Sequence, residues 1–238
     1  MKKGSVFCLV VLFLLWILLL PLYAKEFHVS SSEEFQDALY EAASNGESDT
    51  IYVAEGIYFI TETLTYYGGS YSESEEASLN IVGAGSNSTI LDGMGRNQIL
   101  AIYTGFPNSR ITITLSGLFF KNGRGKYSIA STSHGALHIE GHNINVVLED
   151  CKFENNSYKG TTENGEGLYI QTSKSSITVR RCIFTNNSAS WRGGAAYIWG
   201  DNVILKRIFR SPKQVFYWKM RKLSLFYSQF CCHYIFYC

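Results

Sequence analysis

Apolar and polar residues alternate in short runs over most of this chain, and the runs return in register. Ile113, Val146 and Ile177 take equivalent places, as do Leu115, Leu148 and Val179. Each run then meets one of three related segments, Leu118-x-Phe120-x-Asn122, Cys151-x-Phe153-x-Asn155 and Cys182-x-Phe184-x-Asn186, whose Phe positions lie 33 and then 31 residues apart. A second set of inward positions, Leu137 and Ile139, Leu168 and Ile170, Ala196 and Ile198, keeps the same register. Alternation at period two predicts strands with one buried face. A long fixed period predicts that each unit stacks on the next, so like side chains form columns inside a solenoid. Asn122, Asn155 and Asn186 close the units and are expected to form a hydrogen-bonded ladder.

Upstream the period changes. Ser31-Ser32-Glu33-Glu34 has the form of a capping box with Ser31 as N-cap. Phe35, Ala38, Leu39 and Ala42 then place one apolar stripe on a short helix that Asn45-Gly46 ends. A solenoid exposes core and unpaired backbone at its ends, and this helix is expected to cap the first coil. From Thr50 onward Ile51-Tyr52-Val53, Gly56-Ile57-Tyr58, Leu79-Asn80-Ile81-Val82 and Thr89-Ile90-Leu91 predict short strands. The polar stretch from Tyr66 to Ala77 is expected to bulge from a turn between coils.

Both ends differ in composition from the body. Residues 1–24, with Lys2, Lys3, an apolar run from Val6 to Leu20 and Ala24 before a cut, predict a signal peptide, with an uncleaved membrane anchor as the alternative. The expected location is extracytoplasmic: secreted, periplasmic or on the cell surface. The repeat body is expected to span residues 25–207. Beyond it, residues 208–238 form a basic, aromatic tail in which Arg210 stands where Phe184 stood and Ser211-Pro212 replaces the Asn pair. The tail reads as a frameshifted or truncated end, or as a segment that binds a membrane surface. A net charge of +1, with the positive residues gathered in that tail, gives no reason to expect nucleic acid. Cys151 and Cys182 are equivalent in the repeat, where packed thiols are favoured over a disulfide. No cysteine or histidine spacing suggests a metal site, and no cofactor is expected.

These residues together resemble the pectin-lyase-like superfamily of right-handed parallel β-helix proteins over Glu26 to Arg207. The resemblance is carried by Thr50-Ile51-Tyr52-Val53-Ala54-Glu55-Gly56-Ile57-Tyr58, Leu79-Asn80-Ile81-Val82-Gly83-Ala84-Gly85 and Thr89-Ile90-Leu91-Asp92-Gly93. Phe153-Glu154-Asn155-Asn156, Phe184-Thr185-Asn186-Asn187 and Gly193-Gly194-Ala195-Ala196 are also similar to the repeats of polymorphic outer-membrane and adhesin-like β-helix proteins. The implied fold is all-β, a right-handed parallel β-helix with a short N-terminal capping helix. Enzymes of this superfamily cleave polysaccharides, the lyases with calcium and a basic residue and the hydrolases with paired Asp. Here no Asp-Asp pair, Asn-Thr-Asp or Gly-His-Gly occurs, and Gly141-His142-Asn143 matches only in part. Asp92 is expected in a turn, and Asp150 is expected to pair with Arg181. No catalytic residue is assigned.

The side chains between the inward positions of the second set should face out: His138, Tyr169 and Tyr197 in one column, Glu140, Gln171 and Trp199 in the next. Aromatic faces with carboxylate and amide groups suit a sugar, so these six residues are the candidate substrate-binding set, and a polysaccharide or cell-surface glycan is the expected partner. The bland alternative is that outward aromatics only brace neighbouring strands. The favoured function is an exported, noncatalytic β-helix presenting this surface for adhesion or glycan contact. A polysaccharide lyase or glycoside hydrolase of the same fold is the alternative. Asn87-Ser88-Thr89, Asn155-Asn156-Ser157 and Asn186-Asn187-Ser188 also fit the N-glycosylation triplet.

Overall fold

A computed structural model describes residues 24–68, 77–105, 110–128, 131–132, 135–159, 167–189, 194–211 and 216–223. Residues 1–23 of the leader therefore lie outside the described residues, as do residues 69–76 of the polar stretch and residues 224–238 of the tail. Among the described residues no helix is long and apolar enough to cross a membrane.

The chain winds as a right-handed parallel β-helix with three faces. The first face stacks Glu26–Val29, Asp49–Val53, Leu79–Gly83, Ile111–Ser116, Ile144–Glu149 and Ser176–Arg180. The second, narrower face stacks Gly56–Phe59, Thr89–Asp92, Phe119–Lys121, Lys152–Glu154, Ile183–Thr185 and Phe209–Arg210. The third stacks Leu64–Gly68, Leu100–Thr104, Leu137–His142 and Leu168–Ser173. The long strand Ala196–Lys206 crosses from the third face to the first and joins both into one 12-stranded sheet.

Each expected column is present. Ile113, Val146 and Ile177 pair in register, as do Leu115, Leu148 and Val179, and all six are buried. Phe120, Phe153 and Phe184 stack with centroids 4.9 and 4.8 Å apart and planes 6° and 5° from parallel, so the rings repeat at the interstrand spacing. Cys151 and Cys182 are buried free thiols.

The corners between faces explain why the chain turns where it does. Asp150, Arg181 and Arg207 have φ of 54°, 52° and 52°, in the left-handed region, and Gly117 takes the same corner one coil earlier. Asn122, Asn155 and Asn186 occupy the next corner with φ of 53°, 56° and 53°. Asn tolerates this conformation better than most residues, which accounts for its recurrence there.

That geometry moves the expected ladder by one position. The corner asparagines turn outward, and the residues after them turn in: Asn156 and Asn187 are buried. Asn156 donates from Nδ2 to the Phe120 carbonyl at 3.1 Å and to Asn187 Oδ1 at 2.9 Å, while its Oδ1 accepts the Gly123 N–H at 2.7 Å. Asn187 donates in turn to the Phe153 carbonyl at 3.0 Å and accepts the Asn156 N–H at 3.1 Å. Gly123 starts the column because a Cβ there would lie 2.8 Å from Ala136 Cα and 2.9 Å from Asn156 Oδ1.

The helix Ser32–Ala42 buries Phe35, Ala38, Leu39 and Ala42 as its periodicity predicts. Ser31 Oγ accepts the Glu34 N–H at 3.1 Å, and the Glu34 carboxylate accepts the Ser30 N–H at 2.7 Å. Gln36 then clamps Thr65, donating to its carbonyl at 2.9 Å and accepting its N–H at 2.8 Å. The helix thus occupies backbone groups at the open edge of the third face. Tyr66, expected in a loop, belongs to that edge strand and is buried.

Strand pairing continues past Arg207, where the sequence leads one to expect the repeat to break. Ile208 is buried in the column of Cys151 and Cys182, and Phe209 pairs with Ile183. Phe216–Leu223 then lies along Ala196 to Val203. The physical reason is that Phe216 supplies the buried ring that Arg210 cannot.

Candidate functional site

The third face presents two outward columns, because alternation sends every second side chain away from the core. Strand register places Thr65, Ala101, His138, Tyr169, Tyr197 and Tyr217 in one column. Tyr67, Tyr103, Glu140, Gln171, Trp199 and, by backbone register, Lys219 form the other. All six sequence-derived candidates are therefore adjacent, but they do not share one environment.

The first column is closed. Tyr169 and Tyr197 stack at 5.0 Å, Tyr197 and Tyr217 stack at 5.0 Å, and His138 meets Tyr169 edge-on at 4.8 Å. His138 retains 2% of its surface, Tyr169 8% and Tyr197 7%. A sugar that stacks needs an open ring face, and both faces of Tyr197 are already covered. These rings brace successive coils.

The second column is open. Tyr67 keeps 63% of its surface and Trp199 40%, Glu140 is exposed, and Tyr103 and Gln171 are half-buried between them. Tyr103 stacks on Tyr67 at 5.2 Å and meets His138 edge-on at 5.1 Å, which ties the two columns together. The Tyr103 hydroxyl is pushed up to about 12, first by burial and then by Tyr67 and the Glu140 carboxylate. Glu140 Oε2 lies 3.4 Å from His138 Nε2, and Gln171 Oε1 accepts from the Tyr169 hydroxyl. Glu140 and Gln171 are thus oriented by the closed column.

Tyr67 and Tyr103 are absent from the sequence-derived set. The signal was present in the alternation of Leu64 with Tyr66 and of Leu100 with Ile102, yet these coils lack the Phe-x-Asn segment that anchors the later alignment.

The carboxylates that a catalytic reading would use are engaged elsewhere. Asp92 accepts the Met94 N–H at 2.7 Å and the Asn122 amide at 3.0 and 3.1 Å, which fixes a turn. Asp150 takes Arg181 in a bidentate pair at 2.8 and 3.0 Å, as its register predicts, and Glu149 pairs with Arg180 and Arg181. Among the described residues no three His, Cys, Asp or Glu side chains gather as metal ligands would.

The family model described as rhamnogalacturonase A/epimerase, pectate lyase-like, matches residues 29–219, so the chain belongs to that family. The match runs through the last coil as far as the strand opened by Phe216. No curated protein and no solved structure matches the chain.

Proposed function

We propose that this protein is an exported, noncatalytic β-helix that holds a polysaccharide against its third face. The observation that carries this reading is the open column, in which Tyr67 and Trp199 offer exposed aromatic surface and Glu140 and Gln171 offer polar groups between them. At the spacing of stacked strands the stretch from Tyr67 to Trp199 runs about 19 Å, an extent suited to several sugar units in a row. Aromatic rings take the apolar ring faces of sugars, and the carboxylate and amide take hydroxyls. Family membership supports the choice of a polysaccharide, and the leader of residues 1–24 supports export.

The test is affinity electrophoresis of the native chain against a panel of neutral, acidic and amine-bearing polysaccharides, with the Tyr67→Ala, Trp199→Ala double variant alongside. Retardation of the native chain by at least one polymer, lost in the variant, supports the reading; equal mobility of both proteins in every gel contradicts it. Polysaccharide cleavage is the second reading, favoured by the rhamnogalacturonase and pectate lyase names of the family. Release of reducing ends or of unsaturated products from any polymer, with or without calcium, would establish it instead.

A further inference from the structure

We infer that the open column of the third face selects a glycan bearing free amino groups, with the Glu140 carboxylate reading the ammonium and the neighbouring rings flanking it. The inference rests on the polysaccharide-contact reading above and goes further by naming the chemistry of the sugar.

Glu140 lies at the centre of the column, with Tyr103 one coil before it, Gln171 one coil after and Trp199 beyond. A carboxylate beside aromatic surface attracts a cation in two ways. It supplies a charge-assisted hydrogen bond, and the electron-rich faces of Tyr and Trp supply cation–π attraction. Glu140 is exposed, so an incoming ammonium can reach it, yet it is held beside His138 Nε2 at 3.4 Å and so keeps a defined position. Its field is felt by its neighbour, since it is one of the causes that hold the Tyr103 phenol in its protonated form.

Among the described strands of this face, basic residues enter at the last one, where Lys219 pairs with Trp199, three coils beyond Glu140. The strands Leu64–Gly68, Leu100–Thr104, Leu137–His142 and Leu168–Ser173 contain no Lys or Arg, and Asp201 follows Trp199 by two residues. The basic groups Arg180 and Arg181 lie at the far edge of the first face, paired with Glu149 and Asp150. A uronate polymer laid on the column would bring its carboxylates against Glu140 with nothing basic on those strands to receive them. A hexosamine polymer would bring ammonium groups to the same place, with Gln171 free to turn its amide nitrogen toward a hydroxyl.

Calorimetric titration of the native full chain with three soluble tetramers, of glucosamine, N-acetylglucosamine and galacturonate, tests this in mildly acidic buffer where the amine is protonated. The glucosamine tetramer is expected to bind at least about tenfold more tightly than its N-acetylated form, a difference of about 1.4 kcal/mol. The preference should shrink as salt is raised. In Glu140→Gln, an exposed substitution whose fold is to be checked by circular dichroism, the two amino-sugar tetramers should bind alike. Equal or tighter binding of the N-acetylated or galacturonate tetramer to the native chain overturns the amine selectivity and leaves polysaccharide contact standing. Unchanged selectivity in Glu140→Gln overturns the role of that carboxylate. Failure of all three to bind overturns the inference, while the broader polymer panel separately decides polysaccharide contact.

Discussion

The Phe216 ring meets the Phe184 ring edge-on at 5.0 Å, with planes 77° apart, and closes the stack that Phe120 and Phe153 begin. A parallel stack cannot end on solvent without exposing a full ring face, and the turned ring of Phe216 covers it. Phe216→Ala is expected to cost about 3 kcal/mol, near the lower end for losing a buried Phe, and Phe153→Ala about 3 to 5 kcal/mol. The exposed Phe209 is the control, and its substitution by Ala should stay within about 0.5 kcal/mol. Urea midpoints on the three variants check the order.

The buried Asn156 side chain makes three hydrogen bonds that tie its coil to the coils on either side. Asn156→Ala leaves the Gly123 N–H and the Phe120 carbonyl without their partner, at about 1 to 3 kcal/mol for each buried group. Asn155→Ala removes an outward side chain and places Ala at positive φ, so it should cost less, about 1 kcal/mol. Equal losses for the two variants would contradict the placement of the ladder.

Arg207 occupies a left-handed corner that Gly117 fills in an earlier coil. An L-residue there costs about 1 to 2 kcal/mol, and glycine returns part of that gain as unfolded-state entropy. Arg207→Gly is therefore expected to stabilise by up to about 1 kcal/mol, seen as a raised urea midpoint. A lowered midpoint would show that the guanidinium makes a stabilising contact.

Stability should fall on the alkaline side. Burial, and then the neighbouring Cys151, raise the Cys182 thiol well above its ordinary 9.0, and Tyr103 is raised from 10.0 to about 12. Above the unfolded values the unfolded chain releases these protons while the folded chain keeps them, so the folded state binds more protons and loses stability as pH rises. Below pH 9 neither group contributes a slope. Cys182→Ala should flatten the decline that begins near pH 9, and Tyr103→Phe the part above pH 10. Urea midpoints read across this range test both.

The fold was legible because the inward positions keep one chemistry from coil to coil. Ile113, Val146 and Ile177 need only a fixed spacing to be recognised as one column. The Asn ladder was displaced by one residue because Asn155 and Asn156 are chemically alike, and only the positive φ of Asn155 decides which of them faces inward. Phe216 escaped notice because it fills its place from a different strand, outside the spacing that ties Phe120, Phe153 and Phe184. The split of the candidate site into closed and open columns was likewise hidden, since alternation tells inside from outside but does not say which outward rings cover one another. Tyr169 and Trp199 both read as outward aromatics in the sequence and differ in the structure by the rings that cover them.

Hydroxyl-radical footprinting read by mass spectrometry, with and without a saturating polysaccharide ligand, tests the central claim most directly. The account predicts that the ligand suppresses oxidation at Tyr67 and Trp199, with Phe59 and Phe209 on the second face oxidised at an unchanged rate. Suppression confined to the second face, or unchanged oxidation of Tyr67 and Trp199 under saturation, would contradict it.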